Sequence, residues 1–272
     1  MKTFYKKCVQ HPIIYSVVLL LLATFFFRFG GLAIAIVTGQ TQMTALEIMT
    51  STVKLISTFI IIAWVKAGTD GEFCIGFCRK GAGKSILLSL PLLAMILIQG
   101  LPSLFSPLSD DVLLWIYAVI MPIAAGVFEE GIVRGVIFGT MLRNWFYKAG
   151  GIMKAVIVSS LIFGLIHFAN LNLANPLPTV SQVIYAFLIG IFFAAVYLRT
   201  GSLWGGVIGH VLVDFTSAIP TATVAAEETG ISLFPIIICL IYALIGLFLM
   251  RKKKMDEIRA LWQEDMLIRR MN

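Results

Sequence analysis

The run VLLWIYAVIMPIAAGVFEEGIVRGVIFGTML, residues 112–142, is almost entirely apolar, yet carries three ionisable side chains near its middle. A hydrocarbon core of roughly 30 Å is crossed by about 20 apolar residues in a helix. This run exceeds that length, so it reads as a membrane span. Glu129, Glu130 and Arg134 then sit where lipid is expected, at a cost of about 3 kcal/mol or more each. Charges at that depth usually mark function rather than accident.

The rest of the chain repeats the pattern. Its 272 residues are 59% hydrophobic and only 13% charged, whereas a soluble domain carries about 25% charged residues. Apolar windows lie near 13–36, 46–65, 85–103, 112–142, 153–170, 181–199, 203–219 and 232–250. Eight such windows predict an all-α membrane protein, an eight-transmembrane-helix bundle. Long apolar runs exclude a β-barrel, which needs short segments of alternating hydrophobicity.

Basic residues test that count. Of 21 Lys and Arg, 18 fall in five places: Lys2, Lys6 and Lys7; the stretch 66–84; the stretch 143–154; Arg199; and the tail from Arg251 to Arg270. The alternate loops near 38–45, 104–111, 171–180 and 220–231 have none, and carry Asp110, Asp111, Glu227 and Glu228. Lys and Arg concentrate on the cytoplasmic side. Both termini are therefore expected in the cytoplasm and the protein in the plasma membrane as a multi-pass chain. The net charge of +7 is read as a topology signal, so nucleic acid is not an expected partner; membrane lipid is.

The first span is too long for a cleaved signal peptide and reads as a retained helix. Residues 1–250 read as one membrane domain, with 251–272 a basic amphipathic cytoplasmic tail. In that tail Ile258, Leu261, Trp262, Met266 and Leu267 form one apolar stripe, suited to lie on the membrane surface. Cys8, Cys74, Cys78 and Cys239 do not suggest a disulfide framework, and no His accompanies Cys74 and Cys78 as a metal partner. The stretch RKGAGKS, 79–85, resembles the end of a phosphate-binding loop. Its required first glycine is replaced by Cys78 and no strand precedes it, so a nucleotide is not expected.

Inside the spans, away from their ends, the ionisable residues are Arg28, Lys54, Glu129, Glu130, Arg134, His167, His210 and Asp214. Arg28 is expected to reach the outer surface or meet an acid, and Lys54 to pair within the bundle as a structural group. Glu130 and Arg134 are four apart and share a helix face, while Glu129 is turned about 100° away. Phe163 and His167, in FGLIH, share a face; so do His210 and Asp214, in HVLVD. Measured from the basic end of each helix, Glu129 lies about 21 Å deep, His167 about 20 Å and His210 about 16 Å, with Asp214 one turn deeper. Three helices thus bring Glu, two His and Asp to one layer. Such a set can run hydrolysis with a glutamate as general base and a histidine assisting, with donors on the oxyanion. It can hold Zn²⁺ through two His and a carboxylate, or relay protons in a transporter.

In order, EEGIVR (129–134), FGLIH (163–167) and HVLVD (210–214) resemble the three motifs of the CPBP family. These are the CAAX-prenyl endopeptidases and bacteriocin-processing intramembrane proteases, also called the Abi family. The resemblance spans about 112–219. It implies an intramembrane endopeptidase acting on a small membrane-associated protein or peptide near the cytoplasmic side. Glu129 would activate water, His167 would assist, His210 would hold the oxyanion, and Glu130, Arg134 and Phe163 would order the site. The prenyl endopeptidases usually have Asn at the last motif position; this chain has Asp214. An ionised Asp cannot donate to an oxyanion, so Asp214 is expected to be protonated, to orient His210, or to bind metal. That departure fits the bacterial branch better than a prenylated substrate. No cofactor is favoured, because no His-Glu-x-x-His motif is present; if zinc is used, Glu129, His167 and His210 would bind it. The rival reading is a non-proteolytic membrane regulator or bacteriocin immunity partner of the same family.

Overall fold

The structure, a computed structural model, describes residues 9–69, 75–77, 81–221 and 230–271, without the side chains of 104, 264, 265 and 267–271. Lys2, Lys6, Lys7, Cys8, Cys74, Cys78, Arg79, Lys80, Glu227 and Glu228 lie outside the described residues, as do the side chains of Leu267, Arg269 and Arg270. Among the described residues the fold is helical, with a single isolated bridge between Leu108 and Thr221.

In chain order the helices are α1 (Pro12–Thr38), α2 (Met43–Gly68), α3 (Ala82–Ser89), α4 (Leu92–Gly100), α5 (Val112–Phe128), α6 (Gly139–Trp145), α7 (Gly151–Leu165), α8 (Leu177–Thr200), α9 (Trp204–Ala218), α10 (Leu233–Leu249) and α11 (Lys252–Met271). A wide π-helical stretch, Glu129–Phe138, joins α5 to α6 into one continuous rod. A short 3₁₀ turn, Ile166–Asn170, extends α7.

The outer helices show why the chain belongs in lipid. Along α1, Tyr15, Leu19, Ala23 and Phe27 recur every fourth residue and are buried, while Leu21 and Phe26 on the other side are more than 60% exposed. An apolar stripe facing inward with an equally apolar outer face is the signature of a helix in hydrocarbon.

Among the described residues, five helices are long and apolar enough to cross a membrane, and seven if each of two bent pairs counts as one span. The chain is thus a multi-pass membrane protein, and three of the eight expected windows depart from a single long straight helix. The window 85–103 is broken into α3 and α4, bent by 55°. Pro91 stands at the break; proline lacks the N–H that an interior turn requires. The window 203–219 is α9, only 15 residues or about 22 Å long. It is hemmed in by Gly201, which ends α8 with φ 69°, and by Pro220 just beyond its end. The window 232–250 is α10, 17 residues, bent by 73° against α11.

The tail also differs from expectation. Ile258, Trp262 and Met266 are buried against the protein rather than facing lipid. Trp262 donates its indole N–H to the Leu198 carbonyl at 2.9 Å and packs edge-on to Tyr197. Arg199 pairs with Glu257 at 2.9 Å. The stripe therefore clasps the end of α8.

Packing is uneven along the bundle. All ten residues of Glu129–Phe138 are buried, as are Ile189–Leu198 of α8. The dense core lies toward the end where α8 meets α9 and α11. Toward the opposite end the helices separate around a cavity.

Candidate functional site

The rod α5–α6 carries the acids. Its π-helical stretch replaces i→i+4 hydrogen bonds by i→i+5, a widening often found at functional sites. Gly131 and Gly135 fall within it. A Cβ at Gly135 would meet Ile75 Cγ2 at 2.4 Å, so the segment 75–77 presses directly on this backbone. The spacing of Glu130 and Arg134 survives the widening: Arg134 Nη1 is 3.4 Å from Glu130 Oε1, with both side chains about 1% exposed.

Helix α9 comes close because it is rich in glycine. A Cβ at Gly206 would lie 2.9 Å from Glu130 Oε2, and one at Gly205 only 2.1 Å from the Ser85 carbonyl. The Gly205 N–H donates to Ser85 Oγ at 2.6 Å. That approach carries His210, one helical turn on, into the acids. His210 Nδ1 lies 3.3 Å from Glu130 Oε1; its Nε2 lies 3.6 Å from Glu129 Oε2 and 3.6 Å from Asp214 Oδ2. One imidazole thus faces three carboxyl groups.

An aromatic frame fixes the ring and the guanidinium. Phe193 of α8 stacks on His210 with 5.4 Å between centroids and planes 8° apart. The Arg134 guanidinium lies 3.9 Å from the Phe163 centroid, within cation–π range. Phe163 also meets His167 edge-on at 5.2 Å. His167 Nδ1 is 2.9 Å from the Phe163 carbonyl. A carbonyl only accepts, so Nδ1 carries a hydrogen in this contact, and in a neutral ring Nε2 is then the nitrogen that can take a proton.

These groups line a cavity of about 570 Å³, which Glu129, His167, His210 and Asp214 all reach. Glu47, Asn170, Gln182, Ser217 and Ala218 line it too. They lie near helix ends on the side carrying the loops 39–42, 171–176 and 219–221, opposite the docked tail. Arg28 is on the same wall; among the described residues it donates to Asn170 Oδ1 at 3.3 Å and meets no acid.

Of the residues read from sequence, Glu129, Glu130, Arg134, Phe163, His210 and Asp214 converge in one cluster. His167 shares the cavity and touches the cluster through the Phe163 ring. Lys54, expected to be only structural, is also here: its Nζ lies 3.9 Å from Glu129 Oε1. Phe193 and Glu47 complete the additions. A lone Phe in an apolar helix carries no sequence signal, and Glu47 stands at the edge of its expected span. Among the described residues no group of three or more His, Cys, Asp or Glu is arranged to hold a metal ion. The set Glu129, His167 and His210 does not close on a common point, so no chemical step is assigned to zinc.

Comparison with known proteins adds a family. A search of curated proteins and one of solved structures each found no match. A protein-family model described as type II CAAX prenyl endopeptidase Rce1-like matches residues 111–216. The match runs from the N-cap of α5 to within two residues of the end of α9 and includes all three motifs, while α1–α4, α10 and α11 lie outside it. Residues 111–216 are thus similar to the Rce1-like type II CAAX prenyl endopeptidases, a protease family within the CPBP group.

Proposed function

We propose that this protein is an intramembrane endopeptidase that hydrolyses a peptide bond in a membrane-associated peptide or protein. The observation that carries the reading is Glu129. It is an acid in the wall of a 570 Å³ cavity, with one oxygen facing His210 and the other facing Lys54. A carboxylate so placed can take a proton from water as the water adds to a carbonyl. His167, with its Nε2 lone pair available, assists that proton transfer. His210 faces the carbonyl oxygen as charge develops there, and Asp214, 3.6 Å from its Nε2, orients the ring. Glu130, Arg134 and Phe163 hold the frame.

The cavity lining favours entry from the end away from the docked tail. With the termini in the cytoplasm of a plasma-membrane protein, as the basic loops suggest, that is the external side. The substrate then comes from the side opposite to the one the sequence motifs suggested.

The test uses the full chain in detergent micelles. Wild type and Glu129→Gln are compared on quenched-fluorophore peptides, farnesylated and unmodified, with cleavage sites mapped by mass spectrometry. Loss of a general base costs about 10²–10⁴-fold. A folded Glu129→Gln protein with wild-type cleavage would overturn the reading in favour of a non-proteolytic role.

A further inference from the structure

The oxyanion side of this site is short of donors. Asp214 occupies the position where an amide would donate, and an ionised carboxylate can only accept. His210 is engaged by Glu130 through Nδ1, so its one nitrogen left for substrate is Nε2, which also faces Glu129 and Asp214 at 3.6 Å each.

Lys54 supplies what is lacking. It projects from α2, outside the matched residues 111–216. Its ammonium reaches the cavity between the rings of Phe27 and Phe128, at 5.2 and 5.4 Å from their centroids. Ring faces attract a cation but accept only weak hydrogen bonds. At 3.9 Å from Glu129 Oε1 the nitrogen is beyond hydrogen-bond range. Among the described residues no acceptor bonds to it. Its three N–H donors therefore stand beside the base, on the oxygen opposite His210, and available to an incoming group. A packing lysine would be expected to bond its carboxylate directly.

We propose that Lys54 is a further catalytic residue, donating to the oxyanion formed when water adds to the scissile carbonyl. The assignment rests on the hydrolase reading above. Glu129 removes a proton from water, and the hydroxide bonds to the carbonyl carbon. The carbonyl π pair moves onto oxygen, where the Lys54 ammonium and His210 meet it. Collapse of that oxyanion breaks the C–N bond, and the proton held by Glu129 passes to the leaving nitrogen. The products are a carboxylic acid and an amine.

Four proteins decide it: wild type, Lys54→Arg, Lys54→Gln and Lys54→Met, assayed on a peptide cleaved by wild type, with melting temperature measured alongside. Removing one oxyanion donor costs about 10²–10³-fold in kcat. Lys54→Met is expected to lose that much with KM within a few-fold and its melting temperature retained. Lys54→Gln keeps a donor without charge and falls between; Lys54→Arg recovers most. Lys54→Met within threefold of wild type in kcat overturns the assignment, as does Lys54→Gln no better than Lys54→Met, the pattern of a pure ion pair. Activity in Lys54→Met beside an inactive Glu129→Gln removes only Lys54. Activity in Glu129→Gln removes the hydrolase reading itself.

Discussion

Replacing Arg134 with Met separates frame from chemistry. Arg134 and Glu130 are both about 1% exposed and 3.4 Å apart. At an effective dielectric of about 20 their attraction is about 5 kcal/mol, and the guanidinium over Phe163 adds about 2 kcal/mol when desolvated. Desolvation opposes both, so the intact pair is worth much less than that sum. Removing one partner is another matter. Glu130 would stay buried with only His210 Nδ1, at 3.3 Å, beside it. Breaking a buried pair in this way costs about 3–5 kcal/mol. For a chain of this size that lowers the melting temperature by roughly 6–20 °C, at about 2–4 °C per kcal/mol. The assay is thermal unfolding in detergent, followed by intrinsic fluorescence. The paired variant Glu130→Gln/Arg134→Met removes the stranded charge and should regain most of the loss, giving a coupling energy from the cycle. A single variant melting within about 2 °C of wild type, or a double variant no more stable than the single, would refute the view of the pair as a mutually dependent frame.

Two other expectations follow from particular contacts. A Cβ at Gly206 would meet Glu130 Oε2 at 2.9 Å, so Gly206→Ala should push α9 away, costing about 1–3 kcal/mol in the melt and lowering peptide cleavage because His210 moves with it. In the tail, hydrogen bonds from Lys254 and then Arg199 hold the Glu257 carboxyl down to about 2. A depressed carboxyl contributes stability above its ordinary value near 4.5 and loses it as pH falls toward 2. Trp262 fluorescence, taken as the difference from Trp262→Phe, should stay constant from pH 7 to pH 5 and shift only at lower pH; a shift centred near pH 6 would contradict this.

Much of the site was legible because depth along a helix is simple arithmetic. Counting inward from Arg143, Lys154 and Arg199 places Glu129, His167 and His210 in one layer before any packing is known. Helix count was less legible. Hydropathy sees an apolar window at 85–103 and at 203–219, but not that Pro91 bends the first or that Gly201 and Pro220 shorten the second. The π-helical stretch left only the glycines of EEGIVRG as a trace. Lys54 was visible, and it does pair within the bundle, with Glu129 at 3.9 Å, but a lone lysine on a helix gives no azimuth relative to its neighbours, so its place at the cavity was not legible. The tail's stripe was correctly periodic, yet periodicity does not say whether lipid or protein covers it; Trp262 and Tyr197 settle that by touching.

The wide turn at Glu129–Phe138 also works as a change of register. Each residue there advances less around the axis than in an α-helix, so α6 emerges out of phase with α5. Val112–Trp145 is one rod to the eye but two reading frames to its neighbours. A deletion inside EEGIVRG that returns the stretch to α-helical spacing would bring the frames into step, and it would swing either the acids or Arg134 to a new side of the bundle. Grafting the three motifs onto a regular helical scaffold would meet the same obstacle: the irregular backbone has to travel with the side chains.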